Sequence, residues 1–511
     1  MDVLFINPGN AHGIYQDLSK DYSAIETPTW ALLLAQSCRS VGHSVGILDV
    51  NAERLSTDLA VERIKELNPR LVCFAVYGQN PNAGTVNMSG TTMLARALKE
   101  SGFGSPISVV GSHVQALPYE TLEKEKDIID IILINEGVYA LWNLLKLESL
   151  DDREQLEKIK GIGFMKDGKP FLTPLERIVP QDRMDVDLPG YAWDLLPYKD
   201  EPLDLYRAHF WHAEYDHDKR SPFASIYTSL GCPFKCNFCM INMINRDNDD
   251  KIGVAGNYST MRFWSPEFII TEFDKLVQMG VKTLRIADEM FLLNKKYYVP
   301  LCELLRDRGY GETLSMWAYS RVDTICNEDN LKLLKSAGIK WLGIGIESAD
   351  RTVRLEVTKG KYQNIDIKEI VTRVQDAGLG IIANYLFGLT GDSMESMQKT
   401  LDLSLELNTI AWNGYTVMAL PGSQVYKDAV DGGHELPDDY VGYSFHSYET
   451  KPMPTRHLTS EEILWFRDHA WMTYHTHPPF LEKIEGLHGK KIRKNIEDMA
   501  KIKLKRKILG D

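Results

Sequence analysis

Three of the chain's seven cysteines, Cys232, Cys236 and Cys239, fall within eight residues at the spacing C-x3-C-x2-C. Seven cysteines scattered at random would produce this spacing in roughly one chain in 1,000. Thiolates this close repel unless a cation neutralises them, so the loop suits a metal or an iron–sulfur centre. Three ligands leave one iron of a cubane cluster without a protein ligand, and an open iron can do chemistry. Structural zinc would need a fourth Cys or His at regular spacing, and none follows.

The elements around this loop must position it. Strand-like runs lie at 225–230, 283–287, 314–319, 341–346, 381–386 and 415–420, each followed by a helical pattern. Six βα units in series predict a partial barrel, in which chemistry sits at the carboxyl ends of the strands. Those ends collect charged and small residues. The first carries the cysteines. The second carries Asp288-Glu289-Met290-Phe291 and the third Ser320-Arg321-Val322-Asp323. The fourth carries Glu347-Ser348, then Lys359-Gly360. The fifth carries Asn384 and Phe387-Gly388-Leu389-Thr390-Gly391, and the sixth Pro421-Gly422-Ser423.

The first 150 residues show an earlier alternation, with apolar runs at 3–6, 45–50, 71–76, 107–110 and 129–134. Five βα units predict a flavodoxin-like, doubly wound parallel sheet with ligands on the loops after its strands. Those loops are Tyr77-Gly78-Gln79-Asn80-Pro81-Asn82, Gly111-Ser112-His113-Val114 and Asn135-Glu136-Gly137. No G-x-G-x-x-G follows the first strand, which argues against a nicotinamide dinucleotide.

With Phe238 before the third cysteine, the loop resembles the signature of radical S-adenosylmethionine (SAM) enzymes. The upstream loops are similar to those of the cobalamin-binding domain that precedes many radical SAM cores, which reads roughly GGPH after the fourth strand and GEG after the fifth. Asp288-Glu289-x-Phe291 resembles that subgroup's DDxF. Gly343-x-Gly345-x-Glu347-Ser348 resembles its GxES, and Pro421-Gly422-Ser423 its PGT. Gly388-Leu389-Thr390-Gly391 departs from GLPG at Thr390. The first loop lacks the D-x-H-x-x-G of mutases, so the resemblance implies cobalamin with no histidine on its lower face.

It further implies that Cys232, Cys236 and Cys239 hold a 4Fe–4S cluster and that Phe238 and Met240 pack on the adenine of SAM. Glu347 would bind its ribose or amino group and Arg321 its carboxylate. Asp288 and Glu289 would lie beside SAM or substrate as catalytic residues. Tyr77, Gly78, Gln79, Gly111, Ser112, His113, Val114, Glu136 and Gly137 would line the cobalamin site.

Four segments are expected: a cobalamin-binding domain over 1–150, a connector over 151–224, the partial barrel over 225–425 and a mostly helical extension over 426–511. The connector holds a hairpin around Lys166-Asp167-Gly168 and an aromatic, histidine-rich stretch from Tyr206 to His217. That stretch is either a lid or interface packing. In the extension, Thr459 and Glu462 predict a capping box. The basic stretch from Lys490 reads as a solvated face or a weak attachment surface.

A net charge of −13 argues against a nucleic-acid surface. No apolar run approaches the roughly 20 residues that span a bilayer. The acidic start Met1-Asp2-Val3 does not resemble a signal peptide, and an odd cysteine count with three clustered is no disulfide framework. A reducing cytoplasm is expected. The resemblance implies methylation of an unactivated carbon of a small biosynthetic molecule, through a 5′-deoxyadenosyl radical and methylcobalamin, with a flavodoxin- or ferredoxin-type electron donor. The alternatives are a non-methylating cyclase or redox enzyme of the same subgroup, and a corrinoid carrier or sensor without catalysis. Only Cys38 and Cys73 lie upstream, so the second cysteine triad of the tRNA methylthiotransferases is missing.

Overall fold

The computed structural model describes residues 1–78, 81–197, 205–208, 222–257, 261–325, 327–357 and 365–511. Gln79, Asn80, Lys359, Gly360 and the stretch 209–221 lie outside the described residues.

The first sheet contains β1 (Val3–Asn7), β2 (Val45–Asp49), β3 (Leu71–Val76), β4 (Ile107–Gly111) and β5 (Ile131–Leu133), in the order β2-β1-β3-β4-β5 and all parallel. This is the flavodoxin-like order, with its switch point between β1 and β3. Helices cover both faces, so β3 and β4 are buried along their whole length and read as near-continuous apolar runs. The predicted hairpin forms as β6 (Ile162–Lys166) and β7 (Lys169–Leu172), which add to β5 antiparallel. Asp167 and Gly168 both have positive φ, as a two-residue hairpin turn requires.

The second sheet runs β15-β14-β13-β12-β11-β8, six parallel strands and open at both edges. Its members are β8 (Phe223–Ile226), β11 (Thr283–Ile286), β12 (Ser315–Arg321), β13 (Ile339–Glu347), β14 (Gly380–Phe387) and β15 (Ala411–Thr416). A two-stranded ribbon, β9 (Ser229–Leu230) with β10 (Arg262–Phe263), leads into the cysteine loop.

Two strands differ from expectation. The run 225–230 breaks after Ile226 because the Tyr191 hydroxyl takes both the N–H and the C=O of Tyr227. The sixth strand begins at Ala411, four residues before the apolar run that suggested it, with Asn413 opposite Asn384. Residues 417–420 are apolar because they cross the strand ends, where Val417 packs with Val353 and Leu386 and Ala419 with Ala116 and Tyr426.

The extension is helical. Ser460–His475 starts at the Thr459/Glu462 capping box and lays Phe466 and Tyr474 on Phe387 and Trp412. The basic helix Lys490–Met499 buries Ile492, Ile496 and Met499, so its apolar stripe is used in packing. Among the described residues no helix is long and apolar enough to cross a membrane.

Candidate active site

The cysteine loop is held by its neighbours in sequence and by both sheets. Gly231, at φ +89°, turns the chain out of β9. The buried Asn242 side chain then clamps Cys232, accepting from its N–H at 2.9 Å and donating to its carbonyl at 2.6 Å. Cys239 N–H closes a turn onto Cys236 C=O at 3.2 Å. Arg321, at the end of β12, lies 3.5 Å from the Phe234 ring, donates from Nε to Asp323 at 2.8 Å and reaches the Cys236 thiol. From the other sheet, the Asn82 side chain accepts from Met240 N–H at 3.2 Å.

Burial pushes the thiols up, Cys236 to about 11 and Cys239 to about 12, and each thiol is raised further by a charged neighbour. Such thiols become ligands only when a metal replaces their protons. Among the described residues no group of three or more His, Cys, Asp or Glu side chains is placed to hold a metal ion. Three soft thiols on one loop are the donor set of an iron–sulfur cluster, whereas structural zinc takes four protein ligands.

The other strand ends separate into two kinds. Asp288 is fully buried and its carboxylate is occupied: it accepts from Thr228 N–H at 2.6 Å, Thr228 Oγ1 at 2.7 Å and Ser229 Oγ at 2.6 Å. It braces the turn that delivers Cys232. Glu289, one residue on, keeps Oε2 buried with no hydrogen-bond partner among the described residues, and burial raises it to about 8. Glu347 takes φ +65°, rare for a side chain with a Cβ, at a register shift between β13 and β14. Burial raises it to about 7 against the pull of Arg321. Two protein-enclosed carboxyls beside the cysteine loop suit a cationic ligand, which would favour their ionised forms. Phe238 packs beside Val353, Leu389 and Val417, and Met240 is buried with Met243 and Ala255.

The loops of the first sheet face this assembly. Tyr77 stacks on Trp30 at 4.5 Å and accepts from Gln115 Nε2 at 3.0 Å, leaving Gln115 Oε1 buried without a partner among the described residues. Gly78, at φ +62°, turns the chain after β3. Gly111 must be glycine, because a Cβ there would lie 2.3 Å from the Val76 carbonyl. Ser112 is fully buried against Gly84. His113 hydrogen-bonds Thr85 Oγ1 at 3.1 Å and meets Tyr440 edge-on. Burial, aided by Lys124, holds it down to about 3, so it is neutral. Val114 lies in the core of the first sheet.

Glu136 pairs with Arg262 and accepts from Val179 N–H at 2.9 Å, while Gly137 at φ +75° starts the helix Val138–Leu145. Asn135 accepts from Arg246 N–H at 2.5 Å, and Arg246 donates to the Gln115 carbonyl at 2.5 Å. These loops thus grip the segment that follows Cys239.

Side chains of both sheets meet between the strand ends: Tyr415 lies within electrostatic reach of Tyr15, Tyr319, Arg285 and Glu347, and Tyr227 within that of Glu289, Arg285 and Glu26. Arg285, from the body of β11, pairs there with Glu26, and Ser225 Oγ donates to the same carboxylate at 2.8 Å. Among the described residues the buried Tyr227 hydroxyl has no partner. Arg285 was not expected as a site residue. Its signal was an arginine inside an otherwise apolar strand, Thr283-Leu284-Arg285-Ile286. Asn242, Arg246 and Arg262 carried no such signal, since their roles depend on which backbone atoms they meet.

The family model described as the Radical SAM superfamily matches residues 226–404. Those residues form a radical SAM domain. A second family model, the B12 binding domain, matches residues 20–145, which covers β2 to β5 and the loops after them. Over 466 residues this radical SAM protein is 27% identical to an uncharacterized methyltransferase of Pyrococcus horikoshii, covering 90% of each chain. It is 23% identical to an anaerobic magnesium-protoporphyrin IX monomethyl ester cyclase of Cereibacter sphaeroides, covering 91% of this chain and 68% of that one. Its structure matches that of the radical SAM methyltransferase TsrM from Kitasatospora setae, solved with cobalamin and an iron–sulfur cluster bound. The TM-score is 0.64 at 16% identity, over 98% of this chain and 99% of that one, a likeness of fold.

Proposed function

We propose that this radical SAM enzyme is cobalamin-dependent and methylates an unactivated carbon of a small molecule held between its two sheets. The observation that carries this reading is the convergence of both sets of strand ends, with Asn82, Gln115 and Asn135 of the first domain bonded to residues 240–246 that follow the cysteines. The methyltransferase relative spans this whole arrangement, covering 90% of both chains. The cyclase relative keeps a non-methylating outcome as the second reading.

Cys232, Cys236 and Cys239 would hold a 4Fe–4S cluster, with the fourth iron left to SAM. Glu289 and Glu347 would meet the cationic groups of SAM. Arg321, already shared among Asp323, Phe234 and Cys236, would hold the cysteine loop as well as any carboxylate. Asp288 would position Cys232 through Thr228 and Ser229. Tyr77, Gly78, Gly111, Ser112 and Gln115 would border the corrin. When bound, the three groups supply reductive cleavage of SAM, a hydrogen-abstracting radical and a transferable methyl group. The chain's part is to enclose the site and exclude water. Tyr15, Tyr227, Tyr319 and Tyr415 surround the substrate with rings and neutral hydroxyls around the Glu26–Arg285 pair. Electrons would come from a flavodoxin- or ferredoxin-type protein in the cytoplasm.

The test is anaerobic reconstitution with iron, sulfide and hydroxocobalamin, then turnover with SAM and a reductant. Methylation requires 5′-deoxyadenosine and S-adenosylhomocysteine in step. Deoxyadenosine alone would select the non-methylating reading, and failure to bind cobalamin would refute the role of the first domain.

A further inference from the structure

We infer that Arg246 is a positioning residue that couples the two cofactor sites: it ties the segment leaving the cysteine loop to the B12-binding domain, so that a filled cluster site strengthens cobalamin binding. The inference rests on the proposed reading of Cys232, Cys236 and Cys239 as cluster ligands and of the loops after β3, β4 and β5 as the border of the corrin.

Arg246 is 2% exposed and follows Cys239 after a single short helical turn, Ile241–Ile244. A charged side chain is buried only where its donors are met. Nη1 donates to the Gln115 carbonyl at 2.5 Å, Nε to the Asn248 carbonyl at 2.7 Å and Nη2 to the Asp250 carbonyl. The backbone of Arg246 is held as well. Its N–H donates to Asn135 Oδ1 at 2.5 Å, and its carbonyl accepts from Asn135 Nδ2 at 3.2 Å. One residue therefore bonds the loops after both β4 and β5.

The Gln115 contact has a specific use. Gln115 and Ala116 end the short helix Ser112–Ala116, and the last carbonyls of a helix have no partner within it. Arg246 meets the carbonyl of Gln115, and the Gly253 N–H meets that of Ala116 at 2.8 Å. Both caps come from within the radical SAM match. The helix that carries Ser112 and His113 is thus closed at its carboxyl end by the segment that leaves the cysteines. Tyr77 joins the same network, since its hydroxyl accepts from Gln115 Nε2 at 3.0 Å and donates to the Asn135 carbonyl at 3.3 Å. In the other direction the segment reaches the cysteines. Met243 N–H bonds the Met240 carbonyl and Asn245 N–H the Asn242 carbonyl, both at 3.0 Å. Asn242 in turn holds Cys232 at both backbone groups.

Three neighbouring thiols gain nothing from converging until they share a metal centre, so filling that site is what fixes the loop and the segment after it. A fixed segment then presents Arg246 and Gly253 to the loops after β4 and β5 without a further ordering cost. Binding at either site lowers that cost at the other, and the linkage is reciprocal.

The experiment uses full-length wild type, Arg246→Gln and Arg246→Lys. Hydroxocobalamin affinity is measured anaerobically by equilibrium dialysis, once with the cluster reconstituted and once with iron and sulfide omitted. Wild type should bind hydroxocobalamin at least about 5-fold tighter with the cluster than without it. The ratio should fall toward one in both variants, because neither side chain can reach three carbonyls in a fixed fork. A general loss of stability would weaken both measurements alike and leave the ratio unchanged. If Arg246→Gln does not fold, Arg246→Lys decides. Equal wild-type affinities with and without the cluster would overturn the inference, as would a wild-type ratio retained in Arg246→Lys. A wild type that binds no hydroxocobalamin in either state, or takes up no cluster, would instead refute the functional reading beneath it, so the two failures are distinct.

Discussion

Glu136 was expected at the cobalamin site, and the structure gives it a different set of partners that can be tested by stability. Its carboxylate is 1% exposed, pairs with Arg262 (6% exposed) and accepts from Val179 N–H at 2.9 Å. Arg262 also donates to the Val179 carbonyl at 2.6 Å. The pair ties the first sheet to the ribbon that leads into the cysteine loop. Removing one partner of a buried pair leaves an uncompensated charge, at a cost of about 3–5 kcal/mol. Glu136→Leu should fall in that range. Glu136→Gln keeps one acceptor and should lose about 2–3 kcal/mol, the value of a charge-assisted bond. Replacing both partners with apolar residues, Glu136→Leu with Arg262→Met, should recover most of the loss, because neither charge is then stranded.

The assay is urea denaturation followed by tryptophan fluorescence, run beside cobalamin binding measured by absorbance. The reasoning predicts a lowered unfolding midpoint for both single variants. It also predicts that Glu136→Gln leaves cobalamin affinity at the wild-type value when measured well below the unfolding transition. A double variant that loses the sum of the single losses would refute the pair as the cause. A Glu136→Gln protein of full stability that no longer binds cobalamin would return the residue to the cofactor.

Two further outcomes follow from buried polar groups. Asp49 is fully buried and raised to about 6 by that burial, although Asn7 Nδ2, Ala52 N–H and the Tyr206 hydroxyl all donate to it. A carboxyl that holds its proton more tightly when folded contributes stability that is present below pH ~4 and lost as pH rises through about 6. Asp49→Asn should therefore flatten the fall in stability between pH 4 and 8 by up to about 3 kcal/mol, read from unfolding midpoints across that range; an unchanged slope would contradict this. Asn242→Ala leaves Cys232 N–H and C=O without their buried partners, at about 1–3 kcal/mol for each. It should lower iron and sulfide content per chain after reconstitution, and a fully loaded variant with an unchanged thermal midpoint would show that the clamp is dispensable.

What the sequence determined by itself was whatever is encoded by local period and local spacing. The cysteine loop, the alternation of apolar runs, the Asp-Gly hairpin and the Thr459/Glu462 cap all depend on residues within a few positions of one another, so composition and order suffice. The flavodoxin-like order and the six-stranded parallel sheet follow because parallel strands need crossover helices, and those helices are visible as periodicity. Strand ends were less secure. The run at 415–420 is apolar for reasons of packing across the barrel mouth, and an apolar run cannot say which neighbour it is apolar against.

The tertiary structure alone decided which polar groups are free to act. Asp288 and Glu289 are adjacent in sequence and both carboxylic acids, yet one is saturated by Thr228 and Ser229 while the other keeps a buried oxygen without a partner among the described residues. Glu136 and Val114 lie in matched motifs, yet one pairs with Arg262, 126 residues away, and the other enters the core. Asn82 becomes informative only when the two sheets meet, because its partner Met240 lies 158 residues away in the chain. A side chain's hydrogen-bonding capacity is written in the sequence. Whether that capacity is already spent depends on atoms that chain folding brings within about 3 Å.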